Sequence, residues 1–110
     1  MADIPKESQE KINKLQLMEH NLQALDQQRQ QFQAQLFELD SAIAALEKAP
    51  TAYKIVGSVM VHSEPKKLLE ELKQKKDVLD VRIGSVEKQE QKLHDSAKQL
   101  QDDVLSTLKK

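Results

Sequence analysis

The chain contains no cysteine, and among its 110 residues there are only two glycines, three prolines and three aromatic side chains. Without thiols it can form no disulfide framework, zinc ribbon or cysteine-based chemistry. The two glycines, Gly57 and Gly84, are isolated, and neither precedes the Gly-Lys-Ser/Thr that a phosphate loop needs. No apolar run approaches the ~18 residues required to span a bilayer. The amino terminus, Met1 to Pro5, lacks a signal-peptide pattern, so a cytoplasmic protein is expected. A surplus of either charge is also missing: 17 basic and 18 acidic residues give a net charge of −1, and they interleave along both halves. The one cluster, Lys73, Lys75 and Lys76, is broken by neighbouring acids. Nucleic-acid binding needs a basic face to neutralise phosphates, so an RNA-contacting arm is disfavoured.

What the chain does have is heptad order. In the first half Leu15, Leu22, Arg29, Leu36 and Ile43 recur every seven residues, and Met18, Leu25, Phe32, Leu39 and Leu46 follow three later. In the second half the rows are Leu72, Leu79, Val86, Leu93, Leu100 and Leu69, Lys76, Ile83, Glu90, Ala97, Val104. A 3–4 spacing held over about five heptads keeps one stripe turned to a partner helix. Charged residues make up 32% and aromatics 3%, a mix that suits solvent-exposed helices better than a thick core. The fold class expected is mainly α: a long antiparallel two-helix coiled coil with a β-hairpin at the bend, in one domain over 1–110. Such a chain buries little surface alone, so its stability is expected to come from assembly.

Helix one is expected over 5–49, with Pro5 tolerated at its start and Pro50 ending it. Helix two is expected over 65–108, with Ser63 as cap and Pro65 in the first turn. Both are then about 44 residues long, or ~66 Å, and equal lengths suit a hairpin of helices. If Leu46 stands opposite Leu69, then Ile43 meets Leu72, Leu36 meets Leu79, Phe32 meets Ile83, Leu22 meets Leu93 and Leu15 meets Leu100. Three polar residues interrupt the seam: Arg29 opposite Val86, Glu90 opposite Leu25, and Lys76 opposite Leu39. Two readings stand for them. Arg29 and Glu90, in adjacent layers, could pair and fix register, or the basic side chains could simply reach to water. Gly84 costs up to ~1 kcal/mol inside a helix, as a soft point in the arm or as a tolerated surface residue.

The linker over 50–64 is rich in β-branched residues. Tyr53–Val56 and Val59–His62 read as strands joined by Gly57-Ser58, where Gly in the first turn position suits a type II′ turn. Lys54, Val56, Val59 and Val61 then share one face, and Tyr53, Ile55, Met60 and His62 the other. Both faces are largely apolar, and a lone two-stranded hairpin is marginal in water. Either it is a capped turn, or other subunits complete a shared sheet or barrel around it, an oligomeric platform.

Catalytic groupings are absent. His20, His62 and His94 are not spaced i, i+4; the seam register brings His20, His94 and Asp95 to similar heights, but a solvated helix surface explains them. Ser41, Ser58, Ser85 and Ser96 lack a neighbouring His–Asp arrangement. No enzyme activity, cofactor or metal is expected. At the chain ends, Ile4, Ile12, Leu17, Leu105 and Leu108 are apolar yet lie off the seam rows, so one paired helix cannot bury them all. They read either as frayed ends or as a contact surface for apolar groups elsewhere.

The whole chain resembles the beta-type subunits of the prefoldin family. The resemblance is carried by the hairpin Tyr53-Lys54-Ile55-Val56-Gly57-Ser58-Val59-Met60-Val61 and by Glu70-Glu71-Leu72-Lys73, Leu79-Asp80-Val81-Arg82 and Gln89-Glu90-Gln91-Lys92. One hairpin rather than two resembles the beta class, and the match resembles archaeal members more than eukaryotic ones. The resemblance implies a hexameric chaperone of two alpha-type and four beta-type subunits, whose hairpins build a double-barrel platform bearing six coiled-coil arms. It implies that non-native clients are held between the arm tips without ATP and passed to a group II chaperonin. It assigns Tyr53, Ile55, Val56, Val59, Met60 and Val61 to the platform. It assigns Ile4, Ile12, Leu15, Leu17, Met18, Leu100, Val104, Leu105 and Leu108 to the client-binding tip. The rival from another class is a structural coiled-coil spacer that tethers fixed partners and holds no unfolded protein.

Overall fold

Pro5 accepts the first helical hydrogen bond, from Gln9 N–H at 2.9 Å, which makes it the N-cap of α1 (Lys6–Leu46). Its missing N–H is no loss at a position where no intrahelical donor is required. The computed structural model describes residues 5–109. After α1 come β1 (Ala52–Val56), β2 (Val59–Ser63) and α2 (Pro65–Leu108). The architecture is therefore mainly α, two long helices with an antiparallel two-stranded hairpin between them.

The regular part of α1 stops three residues short of the expected end. Lys48 N–H and Ala49 N–H bond to the carbonyls of Ala45 and Leu46, at 3.4 and 3.3 Å. These i→i−3 bonds tighten the last turn, as helix ends do when the following residue cannot continue them. Pro50 is that residue. It disfavours helical geometry at Ala49.

The hairpin has the register expected from its turn. Val56 pairs with Val59, Ile55 with Met60, Lys54 with Val61 and Tyr53 with His62. Gly57 has φ of 63°, and no other described residue has positive φ; a type I′ turn would need a second one, so the turn is of type II′. The ladder gains one more pair, Ala52 with Ser63. Ser63 thus closes β2 and is not the cap of α2. That position belongs to Glu64, whose carbonyl accepts from Leu68 N–H at 3.0 Å. Pro65 then takes the first helical place, where its fixed φ suits it.

The helices pack in two units. In the unit of residues 30–84, Phe32, Leu36, Leu39, Ile43 and Leu46 of α1 are half-buried, as are Leu69, Leu72 and Lys76 of α2, while Leu79 and Ile83 are buried. Leu39 and Leu79 line one groove and Leu46 and Leu69 another, so the segments run antiparallel. Off the rows, Ala52 and Leu68 are also buried. Lys76 leaves the seam sideways, with its Nζ 2.7 Å from Asp40 Oδ1.

In the unit of residues 5–29 with 85–109, Leu15, Met18, Leu22, Leu25 and Arg29 are half-buried. Opposite them Val86, Ala97 and Val104 are buried, and Glu90, Leu93 and Leu100 half-buried. Leu25 and Leu93 line a common groove. Arg29 Nε donates to Glu90 Oε1 at 2.9 Å, and the same guanidinium bonds Asp26, one turn back on α1. The pairing reading of Arg29 is the one realised. The α1 rows also extend one heptad further than their apolar members show, to Ser8 and Lys11. Ser8 is 0% exposed, and among the described residues its hydroxyl has no hydrogen-bond partner.

Candidate assembly and client-binding surfaces

The hairpin exposes its apolar side chains. Ile55 is 72% and Met60 66% exposed, and Tyr53, Val56, Val59 and Val61 are all exposed as well. These six are the residues assigned to the platform. Alternation along each strand divides them between faces, with Val56, Val59 and Val61 on one and Tyr53, Ile55 and Met60 on the other. Nothing in the unit covers them, and the ladder of β1 and β2 uses only one edge of each strand. Five-residue strands with apolar side chains on both faces and a free edge on each side are a template for pairing with another chain.

Lys54 fixes how one face relates to the helices. Its Nζ lies 3.5 Å from Glu71 Oε2 on α2, so the Lys54 face looks toward α2 at its base. Tyr53 and His62 on the other face are packed edge to face, with ring centroids 5.6 Å apart and planes at 81°.

The residues assigned to client binding divide into two sets. Ile12, Leu15, Met18 and Leu100 are half-buried, and Val104 is buried at 6% exposure. These help close the local helix pair. Leu17, 60% exposed, with Leu105 and Leu108, also exposed, form the outward set. Ile4 lies outside the described residues. Three further exposed apolar side chains escaped the sequence reading: Phe37, Val78 and Val81, the first 74% exposed. All lie off the seam rows, and the off-row test applied to the chain ends would have found them in the middle of the helices.

The electrostatics are structural. Hydrogen bonds to Asp26, then to Glu90, hold the Arg29 guanidinium in its charged form and raise its pKa. Lys76 is raised above the ordinary lysine value chiefly by its hydrogen bond to Asp40. Among the described residues no group of three or more His, Asp or Glu side chains is arranged to hold a metal ion. His94 Nδ1 lies 3.9 Å from Oδ1 of its neighbour Asp95, both on the exposed helix surface. No described helix is long and apolar enough to cross a membrane.

These features recur in known proteins. The family profile described as Prefoldin subunit matches residues 9–110. A prefoldin subunit beta of Thermococcus onnurineus is 35% identical, over 99% of this chain and 97% of its own length. One of Thermococcus gammatolerans is 38% identical over 99% of this chain and 96% of its own length. The crystal structure of the prefoldin beta subunit from Thermococcus strain KS-1 superposes with a TM-score of 0.93 at 34% identity, covering 100% of this chain and 99% of that one. With the seam, the central hairpin and the full-length match in agreement, the chain belongs to the prefoldin family of chaperone subunits and is of the beta type.

Proposed function

We propose that the chain works as one prefoldin-like domain, residues 1–110, in a cytoplasmic hetero-hexamer of two alpha-type and four beta-type subunits. The assembly acts as an ATP-independent holdase that captures non-native proteins and hands them to a group II chaperonin. The observation that carries this reading is the exposed two-faced hairpin, which a lone chain leaves uncovered and family membership supplies with partners. Tyr53, Ile55, Val56, Val59, Met60 and Val61 join it to neighbouring hairpins. Leu17, Leu105 and Leu108, with Ile4, offer apolar contacts to a client, and Ile12, Leu15, Met18, Leu100 and Val104 become available to it where the helix ends open. Each contact is weak. Several subunits presenting the same surface raise the effective concentration at one client, so capture needs no nucleotide and no deep pocket.

The test is suppression of aggregation. A denatured model protein is diluted into buffer containing this chain assembled with an alpha-type partner, without nucleotide, and light scattering is followed. Reduced scattering at near-stoichiometric complex supports the holdase. Unchanged scattering with a well-formed complex leaves the spacer as the better reading.

A further inference from the structure

Within the unit of residues 30–84, α1 and α2 border a groove of about 850 Å³. Leu39 and Ala42 of α1 and Val78 and Leu79 of α2 give it an apolar lining, with Lys75 and Arg82 beside them. Val78 is exposed there, and so is Val81, three residues further along α2. Gln35, Glu38, Leu39 and Ala42 turn one side of α1 to the groove. Phe37 stands among them in sequence, but at 3.6 residues per turn its direction is about 150° from theirs. Its ring is exposed. The unit thus carries an aromatic knob and an apolar groove at one level, on opposite sides of the helix pair.

We propose that Phe37 of one copy of this chain seats in the Val78 groove of a second copy beside it, locking neighbouring helix pairs side by side. The inference rests on the reading that the hairpins gather several subunits, and it adds a contact outside the hairpin. A cavity of about 150 Å³ holds a benzene ring, so the groove has room for the phenyl group and the residues next to it. A buried aromatic anchor in an apolar pocket is the kind of contact that carries most of an interface's energy. Knob and groove share a level, so two copies lying parallel meet without sliding along each other.

The charges select unlike sides as partners. On the groove side Glu71 is engaged by Lys54, and Lys75 and Arg82 stand with Glu38, three cations to two carboxylates. On the Phe37 side Lys76 bonds Asp40, Asp77 and Asp80 act on the same ammonium, and Lys73 lies one turn before it, two cations to three carboxylates. The opposite balance favours groove against knob and disfavours groove against groove. Such a contact is heterologous, and repeated about an axis it closes into a ring. It is small, so it forms among chains that the hairpins already hold at high effective concentration.

Because the chain has no cysteine, thiol crosslinking tests this cleanly. Chains carrying Ser41→Cys, one turn from Phe37, are mixed with chains carrying Gln74→Cys, on the groove, assembled with an alpha-type partner and treated with a short bismaleimide. A crosslinked pair of copies is expected from the mixture, and little from either variant alone. Adding Phe37→Ser to the Ser41→Cys chain should cut the yield about tenfold, as loss of an anchor worth ~1.4 kcal/mol would, whereas Phe37→Leu, still apolar, keeps most of it. Circular dichroism and the sedimentation coefficient should not change, since Phe37 is exposed and lies outside the hairpin. An assembled complex without the crosslink overturns the inference, as does a yield indifferent to Phe37→Ser. It also falls if a denatured cysteine-bearing model protein, rather than a second copy, is captured at Gln74→Cys. Absence of any complex in sedimentation overturns the platform reading, and this inference with it.

Discussion

Arg29 on α1 and Glu90 on α2 bridge the two helices at 2.9 Å, within rows whose nearest members on either side are apolar. Asp26 shares the guanidinium, so the two charged partners are not equivalent. Removing Arg29 leaves Glu90 half-buried without that cross-helix donor. Removing Glu90 leaves Arg29 still held by Asp26.

Thermal unfolding followed by circular dichroism should rank the variants accordingly. Arg29→Met lowers the midpoint more than Glu90→Met, and the double variant is less destabilised than the two singles added together. It can equal or exceed wild type, because a well-packed apolar pair often replaces a partly buried ion pair without loss. Strict additivity would show that the pair contributes nothing as a pair.

Lys76 predicts an alkaline response. Asp40 raises its pKa above the ordinary value of 10.5, so the folded state binds this proton more tightly than the unfolded one. The stabilisation is fully present below 10.5 and is lost as pH rises through the higher, folded value. The two paired side chains keep 39% and 49% exposure, enough for solvent screening to make the effect small. Urea midpoints for wild type and Lys76→Met should differ by a constant amount below pH 10.5 and converge above it. Parallel curves across the whole range would mean that the ion pair is immaterial.

Gly84 bears on stability in the other direction. A Cβ built on it meets nothing within 4 Å, and it lies inside α2, where glycine is less favourable than alanine by up to ~1 kcal/mol. Gly84→Ala should raise the unfolding free energy measured in urea by up to that order in the isolated chain. The same substitution measured in the complex with an alpha-type partner is informative: stabilisation there too means a tolerated surface residue, whereas weakened assembly means a close approach of another subunit.

Much of this was legible beforehand because a heptad is a statement about burial. Every described residue of the two rows on each helix proves at least half-buried, including the polar members Arg29, Lys76 and Glu90. Gly57-Ser58 was equally informative, since a glycine at the first place of a two-residue turn fixes both turn type and strand register. Other features had no such signal. Ser8 continues the row but is polar, so an apolar pattern ends before it. Ser63 is a good cap by composition, yet its backbone is taken by the ladder with Ala52. Phe37, Val78 and Val81 are exposed because their positions on the helix turn outward, and one chain's sequence names no partner for them.

The sharpest prediction separates assembly from capture. Leu105→Ser with Leu108→Ser removes two exposed apolar groups near the end of α2 and touches neither the seam rows nor the hairpin. Client capture, read by light scattering, should fall several-fold while the sedimentation coefficient of the complex stays unchanged. Val59→Asp acts at the other surface. It places a carboxylate in a face proposed to be covered by a neighbouring subunit, and an uncompensated buried charge is strongly destabilising, so the complex should dissociate while the helices remain folded. Its consequence for capture is the decisive part. The residues proposed to bind clients are intact in Val59→Asp, yet they are no longer held together, and linked weak sites lose a factor of about 10² to 10⁴ in avidity when separated. Dissociated chains should therefore fail to suppress aggregation even at equal subunit concentration. If they suppress it as well as the complex does, a single pair of helix ends suffices for holding, and the hairpin serves some purpose other than gathering them.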